Sequence, residues 1–235
     1  MISLHPKRIT QFLIFVVLGL TFASLTGQFY KYSLDSDTST ALIQKLNVDG
    51  EYTIPSIFSS CALLSCSIIL AKIAVNKNKN NDKYTRHWFG LSIIFLYLAI
   101  DETISLHEQL IPPLRKALNA GGLFHYTWVI PGMIFVLIVL LLFLRFLGDL
   151  PRTIRDLFWI SGGIFVAGAI GMEMISGYYT DLYNSDNITY AALTTLEELL
   201  EMLGIVIFIH ALLSYRRLSR NEIKMIKISP VQKDS

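Results

Sequence analysis

"YTWVIPGMIFVLIVLLLFLRFL", residues 126–147, decides the fold. From Val129 to Leu144 it carries no charged side chain. The whole run is longer than the roughly 20 residues with which a helix crosses the hydrocarbon core of a bilayer. "ITQFLIFVVLGLTFASLTGQF", residues 9–29, has the same character. The composition agrees: of 235 residues, 53% are hydrophobic and 16% charged, more apolar than ordinary soluble domains. The sequence therefore predicts an all-α polytopic membrane bundle.

Working outward, six spans are expected, at about 9–29, 54–75, 88–111, 126–147, 157–179 and 193–215. Pro112 and Pro113 are read as stopping the third. "HPKR" before the first run resembles a secretory signal, but no clean small-x-small cleavage site follows, so it is kept as a span. Sixteen of the twenty Lys and Arg fall on one side if the N-terminus is cytoplasmic. By the positive-inside rule both termini are then cytoplasmic. Residues 1–220 read as one transmembrane domain and 221–235 as a flexible cytoplasmic tail. Trp88 and Trp159 fall at expected inner boundaries, and Trp128, Tyr178 and Tyr179 at outer ones. "TALIQKLN" in the first external loop is read as a short surface helix. The location expected is the plasma or inner membrane.

The net charge of +2 gives no case for nucleic acid, and no zinc knuckle or phosphate-binding glycine loop is present. Cys61 and Cys66, five apart on one helix, point to different faces and are read as small buried hydrophobes. "NIT" at 187–189 matches the N-glycosylation acceptor pattern.

"LAIDETISLHEQLIPP", residues 98–113, raises the functional question, because Asp101, Glu102, His107 and Glu108 interrupt the third span. Counting about 1.5 Å per residue from each span's centre puts Asp101 roughly 3 Å outside the midplane, Glu201 roughly 4 Å and Glu173 roughly 7 Å. Glu197 and Glu198 fall roughly 9–10 Å out, and Glu108 roughly 13 Å. Asp101 and Glu108 share an azimuth on a regular helix, whereas His107 and Glu108 diverge by about 100°. Acids from three helices thus share one slab of the outer leaflet.

Each ionised carboxylate there costs about 2.5–3.5 kcal/mol on insertion scales. The slab holds no Lys or Arg, so protons, water or a cation must offset that cost. The expectation is a buried carboxylate–histidine site for a divalent metal, with Zn, Fe or Mn suited to such ligands. His107, Glu108, Glu173 and Glu201 are the candidate ligands. Asp101 and Glu198 are the candidate acid/base residues. No Glu-x-x-His pair or His-Glu-x-x-His run supports the set.

A metal-dependent membrane enzyme, a hydrolase or oxidoreductase acting on a lipid or apolar small molecule, is the leading reading. A proton- or cation-coupled transporter or channel is the second. The third is a subunit of a homo-oligomer or larger membrane complex. Competing structural roles are also expected. Thr194 or Thr195 is read as capping the sixth span, with Glu197 and Glu198 favoured by the helix dipole. His5 and His87 are read as solvent-facing, His125 as interfacial and His210 as buried packing. Pro131 is read as a kink. Gly163 and Gly171 share a face on which a neighbouring helix could close.

Overall fold

A computed structural model describes residues 5–33, 41–50 and 52–228. Asp35, Asp37 and Glu51 of the first loop, and tail residues 229–235, lie outside the described residues. Among the described residues the chain is all-helical. It runs α1 (Pro6–Ser33), α2 (Ala41–Leu46), α3 (Ile54–Lys79), α4 (Thr85–Ile104), α5 (Leu106–Gln109), α6 (Ile111–Leu118), α7 (Val129–Gly148) and α8 (Arg152–Val166). A π-helical segment (Ala167–Met172) then joins α8 to α9 (Glu173–Tyr183), and α10 (Ile188–Ile228) follows. Among the described residues, five helices are long and apolar enough to cross a membrane: Pro6–Tyr32, Ile54–Lys79, Thr85–Ile104, Val129–Gly148 and Arg152–Tyr183.

Local chemistry sets the helix starts. Thr53 and Ser56 form a reciprocal cap on α3: the Ser56 N–H donates to Thr53 Oγ1 at 3.4 Å and the Thr53 N–H to Ser56 Oγ at 3.0 Å. Pro55, which has no N–H to leave unpaired, sits in the first turn. Asn187 caps α10, its Oδ1 accepting the Tyr190 N–H at 3.0 Å. Thr194 and Thr195 are therefore inside the helix, and the expectation that they cap it is corrected. Both hydroxyls donate back to the Ala191 carbonyl. Glu197 and Glu198 consequently lie two turns or more past the helix start, where its dipole gives little help.

The third expected span ends early. Ser105 is left-handed, φ 46° and ψ 49°, and α4 stops at Ile104. Pro112 and Pro113 open α6 instead of closing a span, because a helix's first turn tolerates a missing N–H. At about 1.5 Å per residue the 20-residue α4 just spans a hydrocarbon core. Its centre is then near residue 94, so Asp101 sits roughly 10 Å beyond the middle of the helix, not 3 Å.

α10 is the central post, packing against α1, α3, α8, the π-helical segment and α9. Its approach to α8 depends on two glycines. A Cβ on Gly204 would lie 2.8 Å from Phe165 Cβ, and one on Gly168 would lie 2.9 Å from the Glu197 carbonyl oxygen. Gly163 and Gly171 have no neighbouring atom within 4 Å of such a Cβ, so the close contact falls on Gly168, round the helix from the face expected. The α3–α4 hairpin is joined by hydroxyls: Ser67 donates to the Ser92 carbonyl at 2.8 Å and Ser92 to the Ser67 carbonyl at 2.9 Å. Between apolar helices such bonds supply specific attraction where hydrophobic driving force is weak.

The bundle is dense at the end where α1 begins. Trp88, 1% exposed, stacks on Tyr215 at 4.8 Å and meets the edge of Phe146 at 4.9 Å. It is a core residue and not a membrane-interface anchor. His87 stacks on Phe146 at 5.6 Å, which corrects its solvent-facing reading. His210 bonds Thr10 at 2.8 Å, a packing role as expected. Cys66 is buried, while Cys61 is exposed, contrary to its reading as buried. At this dense end Lys83 pairs with Asp149 at 2.6 Å. At the opposite, distal end Lys31 pairs with Asp186 at 3.3 Å. There α2 folds back on α1, with Gln28 donating to Asn47 and the Val48 N–H to Ser24 Oγ.

Candidate functional site

The bundle is hollow between α4 and α7. A cavity of about 1170 Å³ separates α4 from α7 and reaches the central α10. α7 makes its main contacts with α8 and the π-helical segment, so its α4-facing side borders open space. Phe95 and Leu98 of α4, Val136 and Val139 of α7, Phe165 of α8 and Phe208 of α10 wall the apolar part.

The distal part is lined by titratable side chains. Asp101 and Glu102 come from α4, His107 and Glu108 from the α5 turn, Glu173 from the start of α9, and Glu197, Glu198 and Glu201 from α10. Asp49, in the turn ahead of α3, borders the cavity as well. Among the described residues, no lysine or arginine lines it. The acids do reach one space, as their shared depth implied, but a buried carboxylate–histidine cluster does not form. Only Glu197, 9% exposed, is buried among them; the others open to the cavity.

The break at Ser105 builds the best-defined contact. Past it, the first N–H groups of α5 lack helical partners. Asp101 Oδ1 accepts the His107 N–H at 2.9 Å, and Asp101 Oδ2 lies 2.8 Å from His107 Nδ1. On an uninterrupted helix residues six apart point well away from each other, so the left-handed residue creates this pair. The His107 ring packs on Trp128 with centroids 4.6 Å apart. The Trp128 indole N–H donates to Glu173 Oε1 at 3.0 Å. Across from it Ser176 donates to Glu197 Oε2 at 3.3 Å. Glu201 lies over Gly168, where a Cβ would come within 2.9 Å of its Cγ. π-helical turns of this kind occur frequently at functional sites.

Among the described residues, no group of three or more His, Cys, Asp or Glu could hold a metal ion. The four proposed ligands share the cavity wall without converging. His107 is turned onto Asp101 and Glu173 onto Trp128, because the break at Ser105 and the indole donor occupy them. Asp101, expected as an acid/base, contacts His107 through both carboxylate oxygens. Glu198 lies one turn from Glu201 on α10, and Glu102 of α4 is near enough to act electrostatically on both.

Composition and spacing missed Trp128, Ser176 and Asp49. Trp128 carried a signal, an amphipathic residue at the mouth of a span, but it was read as a boundary marker. Asp49 keeps solvent access, but desolvation by the protein around it, with Glu173 and Glu108 nearby, pushes its carboxyl up from its ordinary value of 3.8 to about 7. Outside the cavity His125 pairs with Asp181 at 3.0 Å, and Asp181 also accepts the Gly122 N–H at 2.9 Å. That pair fastens the turn before α7 to α9.

No curated protein and no solved structure matches this chain. A family model described as a domain of unknown function, DUF8692, matches residues 12–215, which is most of the chain, and the chain belongs to that family.

Proposed function

We propose that this is a multi-pass membrane protein that admits a lipid-like molecule to the cavity and transfers protons on it through His107. In this reading α10 is the sixth crossing and both termini are cytoplasmic. The ion pairs support it: Lys83–Asp149 joins two connections at one end of the bundle, and Lys31–Asp186 joins two at the other. Alternating helices with both termini at one end require an even number of crossings.

The observation that carries the chemical reading is the Asp101–His107 pair at the polar end of an otherwise apolar cavity. A carboxylate on Nδ1 selects the tautomer with its proton there, leaving the Nε2 lone pair for a general base. Glu198 and Glu201, on the facing helix, supply carboxyls to receive or return a proton. The reading does not depend on a metal. A through-going ion pathway is less well supported, because the titratable lining lies toward the distal end and apolar side chains such as Phe143, Leu147 and Phe158 line the remainder.

The test uses purified protein in phosphatidylcholine nanodiscs, incubated with a labelled total-lipid extract and followed by mass spectrometry. Wild type should convert at least one lipid class. His107→Ala should lower the rate by about 10²–10⁴, the usual contribution of a positioned base, and Asp101→Asn by less. Elemental analysis of the same chelator-washed sample completes the test. Stoichiometric bound metal would favour the metal-dependent form of the enzyme. No conversion of any lipid by folded wild type would remove the enzymatic reading.

A further inference from the structure

The reading above leaves the polar head of the occupant undefined. We infer that the cavity takes a cationic amphiphile: an amine or quaternary ammonium head among the carboxylates, with one hydrocarbon tail along α7. This inference rests on the proposed cavity site and deepens it.

Charge complementarity carries the argument. Carboxyl groups line the distal part from α4, α9, α10 and the turn holding Asp49, and among the described residues no lysine or arginine lines it. A phosphate, sulfate or carboxylate head would find acidic groups on several sides and no lysine or arginine among the described lining residues to pair with. A positive head would supply the missing compensation. Aromatic groups stand in the same region: Trp128, Tyr97, Tyr126 and Tyr190 all line the cavity. Ring faces attract ammonium groups further when water is excluded.

The apolar half argues for the tail. The volume, about 1170 Å³, exceeds the roughly 300–1,000 Å³ of ordinary small-molecule pockets. Its walls beyond the acids are Phe95, Leu98, Val136, Val139, Phe165 and Phe208. A small hydrophilic cation would leave that surface uncovered. Tyr97 of α4 and Phe135 of α7 lie 6.4 Å apart across the gap and both line the cavity, so a tail lying along α7 also meets aromatic surface.

The test is equilibrium binding to the full chain in phosphatidylcholine nanodiscs, with empty nanodiscs subtracted. The probe is radiolabelled hexadecyltrimethylammonium, whose charge does not titrate. Hexadecanol and hexadecanoate compete at equal chain length. The ammonium probe should bind saturably, one per chain, and about tenfold or more tighter than either competitor displaces it. The double variant Glu198→Gln, Glu201→Gln should lose about tenfold in affinity, while Asp156→Asn, on the outside of α8, should bind as wild type. Should the double variant fail to fold, Val139→Phe, which narrows the tail channel, should weaken all three probes together. Equal affinity for the three heads, or unchanged binding in both cavity variants, overturns the inference. Lipid conversion that needs His107 but shows no preference for a cation overturns this inference alone. Tight ammonium binding without any conversion overturns the enzymatic reading alone.

Discussion

Asp101 holds His107 at two points, one carboxylate oxygen on the backbone N–H at 2.9 Å and the other on ring Nδ1 at 2.8 Å. The first contact is a helix cap and the second orients an imidazole, so the two functions separate by mutation. Asp101→Asn keeps an acceptor for the N–H. Asp101→Ala removes both contacts and should destabilise by about 1–3 kcal/mol. Thermal unfolding in nanodiscs should place the Ala variant about 4–10 °C below wild type and the Asn variant between them. Equal melting of Asn and Ala would show that the cap contributes nothing.

Gly204 and Gly168 set how closely α8 approaches α10. Gly204→Ala puts a methyl group 2.8–3.0 Å from Phe165 Cβ, N and Cα, and backbone atoms cannot rotate away. Gly168→Ala meets the Glu197 oxygen and the Glu201 N–H at 2.9–3.1 Å. Each should cost about 1–3 kcal/mol. Gly163→Ala has open space and should be neutral or stabilising by up to about 1 kcal/mol. Melting temperatures of the three variants check the ordering.

Trp128 and Glu173 are joined by one hydrogen bond, at 3.0 Å. Trp128→Phe keeps an aromatic ring beside His107 and deletes the donor. A double-mutant cycle with Glu173→Gln should give a coupling of about 1–3 kcal/mol. Strictly additive losses would remove the bond from the account of the site.

Asp49 lies in a turn outside the spans, and its carboxyl is pushed up to about 7 by partial desolvation and by Glu173 and Glu108. A raised acid pKa means that the folded chain holds a proton the unfolded chain releases near pH 4. Stability from this group is complete at low pH and declines as pH rises from about 4 to about 7. Asp49→Asn cannot ionise, so its unfolding midpoint should lose that decline. Melting curves at pH 4, 5.5 and 7 compare the slopes, and parallel slopes would assign the pH dependence elsewhere.

Topology is checked with single cysteines in a Cys61→Ser background. Asn80→Cys, in the α3–α4 connection, and Ser185→Cys, in the α9–α10 connection, should react with a membrane-impermeant thiol reagent from opposite sides. Labelling of both from one side would break the three crossings, α4, α7 and α8–α9, that separate the two positions.

Much of the bundle was legible because length and apolarity are one-dimensional properties. The runs containing Leu18, Leu70 and Leu140 have no alternative to a spanning helix. The starts of α3 and α10 were close to readable, since Thr53, Pro55 and Asn187 act locally. What escaped were features made by the backbone. One left-handed residue at Ser105 undid the azimuth shared by Asp101 and Glu108 and produced a contact between residues six apart. The π-helical turn at Ala167–Met172 shifted the face on which small residues meet α10. The acids line one cavity although the break at Ser105 changed the depth counted for Asp101, because they sit toward one end of their helices. Ligand geometry did not follow, because it depends on side-chain direction. Trp128 shows the same limit from the other side: a residue at a boundary is also within reach of whatever lies beneath it.

The hollow between α4 and α7 bears on how the protein is handled. Extraction replaces lipid with detergent, whose single tail and compact head resemble the occupant inferred for the cavity. Solubilised material would then carry a competitor in the site, and its heat resistance should rise as the detergent alkyl chain lengthens to fill the space. Affinities measured in micelles would understate the true ones, most severely where the surfactant bears an amine.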